Sequence, residues 1–185
     1  MKTSAMVRLT TAAVVLACWA SLAVAGPLGE LEIQGDVRLT QLGSSQTMTL
    51  RNTTFSLFSG DRIVTGDSSA SLRLGSGDSL AVGPHSELSL TANGSYLQAD
   101  LTRGSLAYLF RSNGTALRIN GEEAVPSSQL RMVQIEDSGR LTSLEGQDAQ
   151  RLAERSGLTV SDSGVSATCK DPSLCENSRP RSLSP

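Results

Sequence analysis

The chain has 185 residues, 16 Lys and Arg against 18 Asp and Glu, and a net charge of −2. That length supports one domain with a real core, and the slightly acidic balance excludes the basic footprint of a non-specific nucleic-acid binder. Aromatic residues are 3% of the chain, too few for the stacking platforms of sugar-binding and single-strand-binding modules.

Lys2 and Arg8 give a positive start, and no acidic residue precedes Glu30. Thr10 to Leu22 is mostly small or apolar, and Ala23-Val24-Ala25 is an Ala-x-Ala cleavage site. Residues 1–25 therefore read as a signal peptide cut between Ala25 and Gly26. The apolar run is too short and too Ala-rich for a membrane-spanning helix. A second reading anchors the chain through lipid on Cys18, but Leu16 suits a lipobox poorly and the Ala-x-Ala site is the better match. Cleavage removes Lys2 and Arg8 and leaves 14 basic against 18 acidic residues, a net charge of −4. It also removes Trp19, the only tryptophan. The remaining aromatics are Phe55, Phe58, Phe110, Tyr96 and Tyr108, so the core falls mainly to Leu, Val and Ile.

Gly29 to Thr40 alternates apolar and polar residues around Gly35-Asp36, the pattern of two short strands. Gly43 to Gln46 is a polar loop. Thr47 to Leu57, rich in Thr, Leu and Phe, is another strand or pair of strands.

The alternation is clearest from Phe58 to Leu90. In Ser71-Leu72-Arg73-Leu74, Ser79-Leu80-Ala81-Val82 and Glu87-Leu88-Ser89-Leu90 the larger apolar residues fall at every second position, so each segment buries one face. Gly60-Asp61, Gly66-Asp67, Gly77-Asp78 and Gly83-Pro84 punctuate them with turn chemistry. Gly60-Asp61-Arg62-Ile63-Val64-Thr65-Gly66 resembles the G-D-x-I/V-x-T-G opening of FecR-like domains. Leu72-Arg73-Leu74, Leu80-Ala81-Val82-Gly83-Pro84 and Ser86-Glu87-Leu88-Ser89-Leu90 resemble the next segments of that family. Leu101-Thr102-Arg103-Gly104-Ser105-Leu106 is similar to its L-x-x-G-x-L/V segment. The resemblance covers Phe58 to Phe110, about a third of the chain.

Asn93-Gly94 is a favoured two-residue hairpin turn. Folding about it sets Leu90 opposite Leu97 and Leu88 opposite Ala99. Leu106, Tyr108 and Phe110 share one face of the next strand, and Ser112-Asn113-Gly114 turns the chain into Leu117-Arg118-Ile119. Here the sequence departs from the family, which continues to an R-G-T element. Asn120 to Pro126 stands in that place without it, an expected substituted loop, so a partner contact that the family makes through that element is not carried over to this chain. Arg131 to Glu136 and Arg140 to Leu144 flank Asp137-Ser138-Gly139 as a final hairpin. Gln147 to Arg155 places Ala149, Leu152 and Ala153 on one helical face, with Gly157 as its cap.

From Ser161 the composition turns to Ser, Pro, Arg and Asn, a flexible tail. It holds Cys169 and Cys175, an even pair that forms a local disulfide in an oxidising compartment. Its loop is too short to stabilise the fold much. Metal binding would need two more ligands, and His85 is the only histidine. His85 reads as a surface turn residue, and no G-x-S-x-G or comparable setting makes a nucleophile of any serine. The acidic residues of the Gly-Asp turns cap backbone, and no loop gathers enough oxygen ligands for calcium. Asn52-Thr53-Thr54, Asn93-Gly94-Ser95 and Asn113-Gly114-Thr115 match glycosylation acceptors, relevant only in a eukaryotic secretory pathway, which the resemblance argues against.

The expectation is an all-β protein of antiparallel hairpins, stacked as a small sandwich or a solenoid-like domain, with one short C-terminal helix. Its parts are a signal peptide (1–25), a FecR-like β domain (29–146), a short helix and strand appendage (147–160) and a tail (161–185). The resemblance implies binding rather than catalysis, in the periplasm. In the namesake regulators such a domain receives a signal from an outer-membrane receptor, beside a cytoplasmic sigma-regulating segment and a membrane span that this sequence lacks. The first functional expectation is a non-enzymatic interaction module that engages an envelope protein through strand edges or hairpin loops. It needs no cofactor, metal, nucleic acid or stable membrane insertion. The rival is a cell-wall glycan binder that meets peptidoglycan through Arg62, Arg73 or Arg118, since arginine suits bidentate contacts to anions.

Overall fold

The computed structural model of the chain describes residues 26–111, 116–136, 138–161 and 164–167. The expected signal peptide with Ala25 and Cys18, the turn expected at Ser112 to Gly114, and the expected disulfide pair Cys169 and Cys175 lie outside the described residues. Gly26 is described and exposed.

The elements in chain order are β1 (Gly29–Gln34), β2 (Asp36–Thr40), β3 (Thr47–Arg51), β4 (Thr54–Leu57), β5 (Arg62–Thr65), β6 (Ser69–Leu74), β7 (Ser79–Val82), β8 (Glu87–Asn93), β9 (Tyr96–Phe110), β10 (Ala116–Ile119), β11 (Glu122–Glu123), β12 (Ser127–Ile135), β13 (Leu141–Glu145), α1 (Gly146–Arg155), β14 (Leu158–Ser161) and β15 (Gly164–Ala167). Among the described residues the fold is mostly antiparallel β with this single short helix. One curled sheet carries the order β3-β2-β5-β8-β9-β7-β6-β1-β4, and β14 pairs with β15 as a separate hairpin.

That order becomes simple when the strands are taken as five long ones, each bent once. β1 and β2 are one strand bent at Gly35, and β3 and β4 are one bent at Asn52. β5 bends into β6 through Gly66 to Ser68, and β7 into β8 through Gly83 to Ser86. β9 bends within itself at Gly104. One arm of each lies in a front layer, β4-β1-β6-β7-β9. The other lies in a back layer with the matching order, β3-β2-β5-β8-β9. β12 and β13 extend the front layer, and β10 and β11 extend the back one. The sheet is thus folded along a crease, with its inner faces against each other.

The alternation read from the sequence fills the space between the layers. Leu31, Leu72, Leu80 and Leu106 from the front meet Leu39, Ile63, Leu88 and Leu90 from the back, all at 0–1% exposure. Burial of this kind contributes roughly 1.5–3 kcal/mol per large aliphatic side chain. The outer surface of the front layer carries a second, smaller core. Ala81, Ala107, Leu109 and Met132 pack there against Ala149 and Ala153 of α1 and Leu158 and Val165 of the β14–β15 hairpin. β9 is therefore buried on both faces from Ser105 to Phe110. Leu106, Tyr108 and Phe110 share the inner face as the alternation predicts. α1 ends where expected, with Gly157 at φ +70° and its N–H donating to the Glu154 carbonyl at 3.1 Å.

Four features differ from the sequence reading. The hairpin turn is Gly94-Ser95, not Asn93-Gly94: Asn93 pairs with Tyr96, Leu90 with Ala99 and Leu88 with Leu101. The shift is two residues, so every side chain keeps its face, and the favourable φ +56° of Gly94 is used one position earlier in the turn. β10 runs parallel to β9, a pairing that alternation cannot distinguish from the antiparallel one. The substituted loop contains a short strand, β11, turned by Asn120 and Gly121. Finally, the boundary expected at Ser161 falls inside a hairpin. Gly164–Ala167 forms β15, and Val165 N–H donates to the buried Ser79 hydroxyl at 3.0 Å.

Candidate functional site

A bent sheet breaks its own ladder at the bend, and the orphaned backbone groups need other partners. Along this crease, side-chain oxygens supply them. Gly35 N–H donates to Asn52 Oδ1 at 2.7 Å, and Asp36 N–H to Ser68 Oγ at 2.7 Å. Thr65 Oγ1 donates to the Gly83 carbonyl at 2.7 Å and accepts from Ser86 N–H at 2.8 Å. Ser86 Oγ accepts from Ser105 N–H at 2.9 Å and lies 3.2 Å from the Ser105 carbonyl. Thr65, Ser86 and Ser105 are buried, which raises the value of each bond. Gly104 has φ +84°, and a Cβ there would lie 2.5 Å from the Ser86 Cα. The crease is thereby held in one place across all five bent strands.

The crease also shapes the sheet's free edge. Both ends of the strand order, β3 and β4, belong to the single segment Thr47–Leu57. Among the described residues nothing pairs with its outer side. Asn52, at φ +43°, bends it around the end of the crease, and its N–H donates to the Gly35 carbonyl at 3.2 Å. Ile33 N–H donates to the Thr53 carbonyl at 2.9 Å, and Leu28 N–H to the Leu57 carbonyl at 2.7 Å. Since backbone groups alternate in direction along an antiparallel strand, Thr54 and Ser56 turn theirs outward. On β3 the same alternation turns Thr49 and Arg51 outward. Met48, Leu50 and Phe55 point to the inner core yet are only partly buried, because no strand among the described residues lies beyond them.

Natural edges are blunted by lysine, proline, bulges or inward charges. This edge has none of them from Thr47 to Leu57, and its one charge, Arg51, is held by Asp36 through a two-pronged ion pair. The Arg51 guanidinium beside Asp36 keeps that carboxyl below the usual carboxylate range. The flanks differ in sign. Glu30 and Glu32 on β1 stand beside Ser56 and Thr54 of β4, whereas Arg38 on β2 stands beside Thr49 of β3. Glu30 and Arg38 are exposed and form no ion pair among the described residues.

The three arginines singled out in the sequence do not converge. Arg62 lies on the outer face of the back layer, 2.5 Å from Glu87, which Arg103 also approaches at 3.6 Å. Arg118 lies on the same face, three strands away, with its guanidinium 4.3 Å from the centre of the Tyr96 ring. Arg73 is on the opposite side of the molecule, on the outer face of the front layer. There it lines a cleft of about 230 Å³ with Glu30, Glu32, Ser71, Ser79 and Ser166. His85 sits exposed in its turn at φ +54°, with Nε2 3.3 Å from Asp67 Oδ1. The buried turn acids cap backbone as expected: Asp61 accepts from Phe58 N–H at 2.9 Å, and Asp78 from Arg111 N–H at 2.8 Å. No group of three metal-ligating side chains occurs among the described residues.

Sequence reasoning saw Thr47–Leu57 only as strand. The available signal was its run of Thr and Ser with alternating Met48, Leu50 and Phe55 and no edge-protecting residue. Asn52 was visible as a glycosylation motif, whereas its side chain supports a bend. Compared with protein-family models, with curated proteins and with solved structures, the chain matches none of them.

Proposed function

We propose that this chain is a stand-alone FecR-like module, exported to the periplasm, that binds other protein chains by strand addition and carries out no chemistry of its own. The observation that carries the reading is the free edge Thr47–Leu57, with outward backbone groups and partly covered Met48, Leu50 and Phe55. A strand added along either arm would satisfy that arm's outward backbone groups and cover its partly buried side chains at once, the physics of β-augmentation. The resemblance of Phe58 to Phe110 to FecR-like domains supports the compartment and the binding role. The dispersal of Arg62, Arg73 and Arg118 supports a protein partner over a glycan.

The test is a crosslinked pull-down of the tagged protein from its native cell envelope, read by mass spectrometry, beside the same experiment with Ser56→Pro. Proline removes an outward N–H and costs the internal ladder no bond. We expect a reproducible protein captured by the unaltered chain and lost with the variant. Equal capture by both, or co-sedimentation with purified peptidoglycan and nothing else, would overturn the reading.

A further inference from the structure

We infer that the strand seated on this edge is the same edge of a second copy, related by a two-fold axis passing between Asn52 and Thr53. The inference rests on the reading of Thr47–Leu57 as a strand-adding edge and names its occupant.

The edge is U-shaped: β3 runs along the back layer, the chain turns at Asn52, and β4 runs along the front layer. A straight strand from another protein can follow only one arm. A two-fold axis along the midline of the U lays an identical U beside it, running the opposite way, so that β3 meets β4 of the second copy and the reverse. Thr49 then stands opposite Ser56, and Arg51 opposite Thr54, of the second copy. These are the positions whose backbone groups point outward on both arms, so hydrogen-bonded pairs form without slippage. In the same register Leu50 faces Phe55 and Met48 faces Leu57, apolar against apolar on the inner side. Both layers continue across the junction.

Two further observations agree. The flank of β4 carries Glu30 and Glu32, and the flank of β3 carries Arg38. The two-fold brings the acidic flank of one copy to the basic flank of the other, whereas pairing β3 with β3 or β4 with β4 would set like charges together. Of the three large exposed apolar side chains among the described residues, Leu42 at 74% and Phe58 at 37% lie at the far end of this edge, where Leu42 rests on Gly60. In this register Phe58 faces Thr47 of the second copy.

The experiment uses two single variants of the full chain, Thr49→Cys and Ser56→Cys, oxidised separately and as a mixture, with the unaltered protein showing the background from the native cysteines. Directly opposed antiparallel residues have Cα atoms within disulfide range. Two copies of Thr49 would instead lie in opposite layers, about 10 Å apart across the core, beyond disulfide range. We expect a crosslinked dimer from the mixture only, and twice the monomer mass in analytical ultracentrifugation, falling to the monomer mass with Ser56→Pro. A monomer at every concentration, or a dimer that neither crosslinks in the mixture nor dissociates with Ser56→Pro, would overturn the inference. If the chain is monomeric but Ser56→Pro still loses its envelope partner, the second copy is excluded and the strand-addition reading stands. If the envelope partner is also indifferent to Ser56→Pro, both fall.

Discussion

Ser86 shows how much a single hydroxyl can hold. It is fully buried, its oxygen accepts from Ser105 N–H, and its own N–H donates to Thr65. Ser86→Ala would leave a buried amide without a partner, a loss of about 1–3 kcal/mol. We expect a matching fall in the free energy of unfolding by urea, with an unchanged denaturant slope. Surface charge is felt differently, through pH. The hydrogen bond from Arg51 lowers the pKa of Asp36, and hydrogen bonds from Arg140 and Thr142 lower that of Glu136. A carboxylate with a depressed folded-state pKa stabilises the fold above its unfolded value, about 4, and loses that contribution as pH falls through the folded one. The thermal midpoint should therefore drop as pH falls below about 4. The double variant Asp36→Asn, Glu136→Gln should show a shallower drop, and raised salt should shrink the difference, because both pairs are exposed. Burial pushes the Tyr108 phenol the other way, above its ordinary value. Its ultraviolet titration step should come late and vanish in Tyr108→Phe.

At the scale of the element, the bend rather than the strand decides the architecture. Gly104 and Gly94 both have positive φ, but only Gly104 has a neighbour against its Cβ position. Gly94→Ala should cost about 1–2 kcal/mol for the left-handed conformation alone. Gly104→Ala should cost that and a steric contribution from the Ser86 backbone. The difference between the two unfolding energies measures how tightly the crease is closed, and equal costs would mean that it yields. The strands themselves were legible because alternation is a local signal: Ser71–Leu74, Ser79–Val82 and Glu87–Leu90 all lie inside observed strands. The role of the bends was not legible. Gly35, Gly66 and Gly83 read as turns between neighbours, whereas each passes its chain from one layer to the other. Those passages depend on contacts between segments far apart in sequence, such as Gly35 with Asn52 and Ser86 with Ser105.

At the scale of the molecule the two cores are unequally legible for the same reason. The inner core rests on Leu, Ile and Val at every second position, which a strand pattern reports directly. The outer core rests on Ala81, Ala107, Ala149 and Ala153. Small residues at these positions let α1 approach the sheet, yet alanine in a sequence signals neither face. The candidate site was the least visible part, because an edge is defined by the absence of a neighbour. Thr47–Leu57 resembles any other strand until all its possible partners have been assigned. The arginines, chosen for their chemistry, proved to be dispersed: Arg62 and Arg118 stand three strands apart on one face, and Arg73 lies across the thickness of the molecule. Position in the sheet, and not residue type, marks the surface that is open to a partner.

The cleft between β1 and β15 has one more consequence. Glu30 and Glu32, near the beginning of the described chain, line it together with Gly164 and Ser166, near its end. The two ends of the described part therefore lie side by side, while the Gly94–Ser95 turn is exposed, with nothing at the Gly94 Cβ position and one backbone bond to it from Ala116 N–H to the Ser95 carbonyl at 3.1 Å. Connectivity can then be exchanged for topology, since a short linker could join Ala167 to Gly26 and new termini could open at that turn. Such a circular permutant should keep every strand pairing except the tight turn itself and fold to the same circular-dichroism spectrum. Failure to fold would show that closing the β8–β9 hairpin early is a requirement of assembly and not merely a feature of the finished sheet.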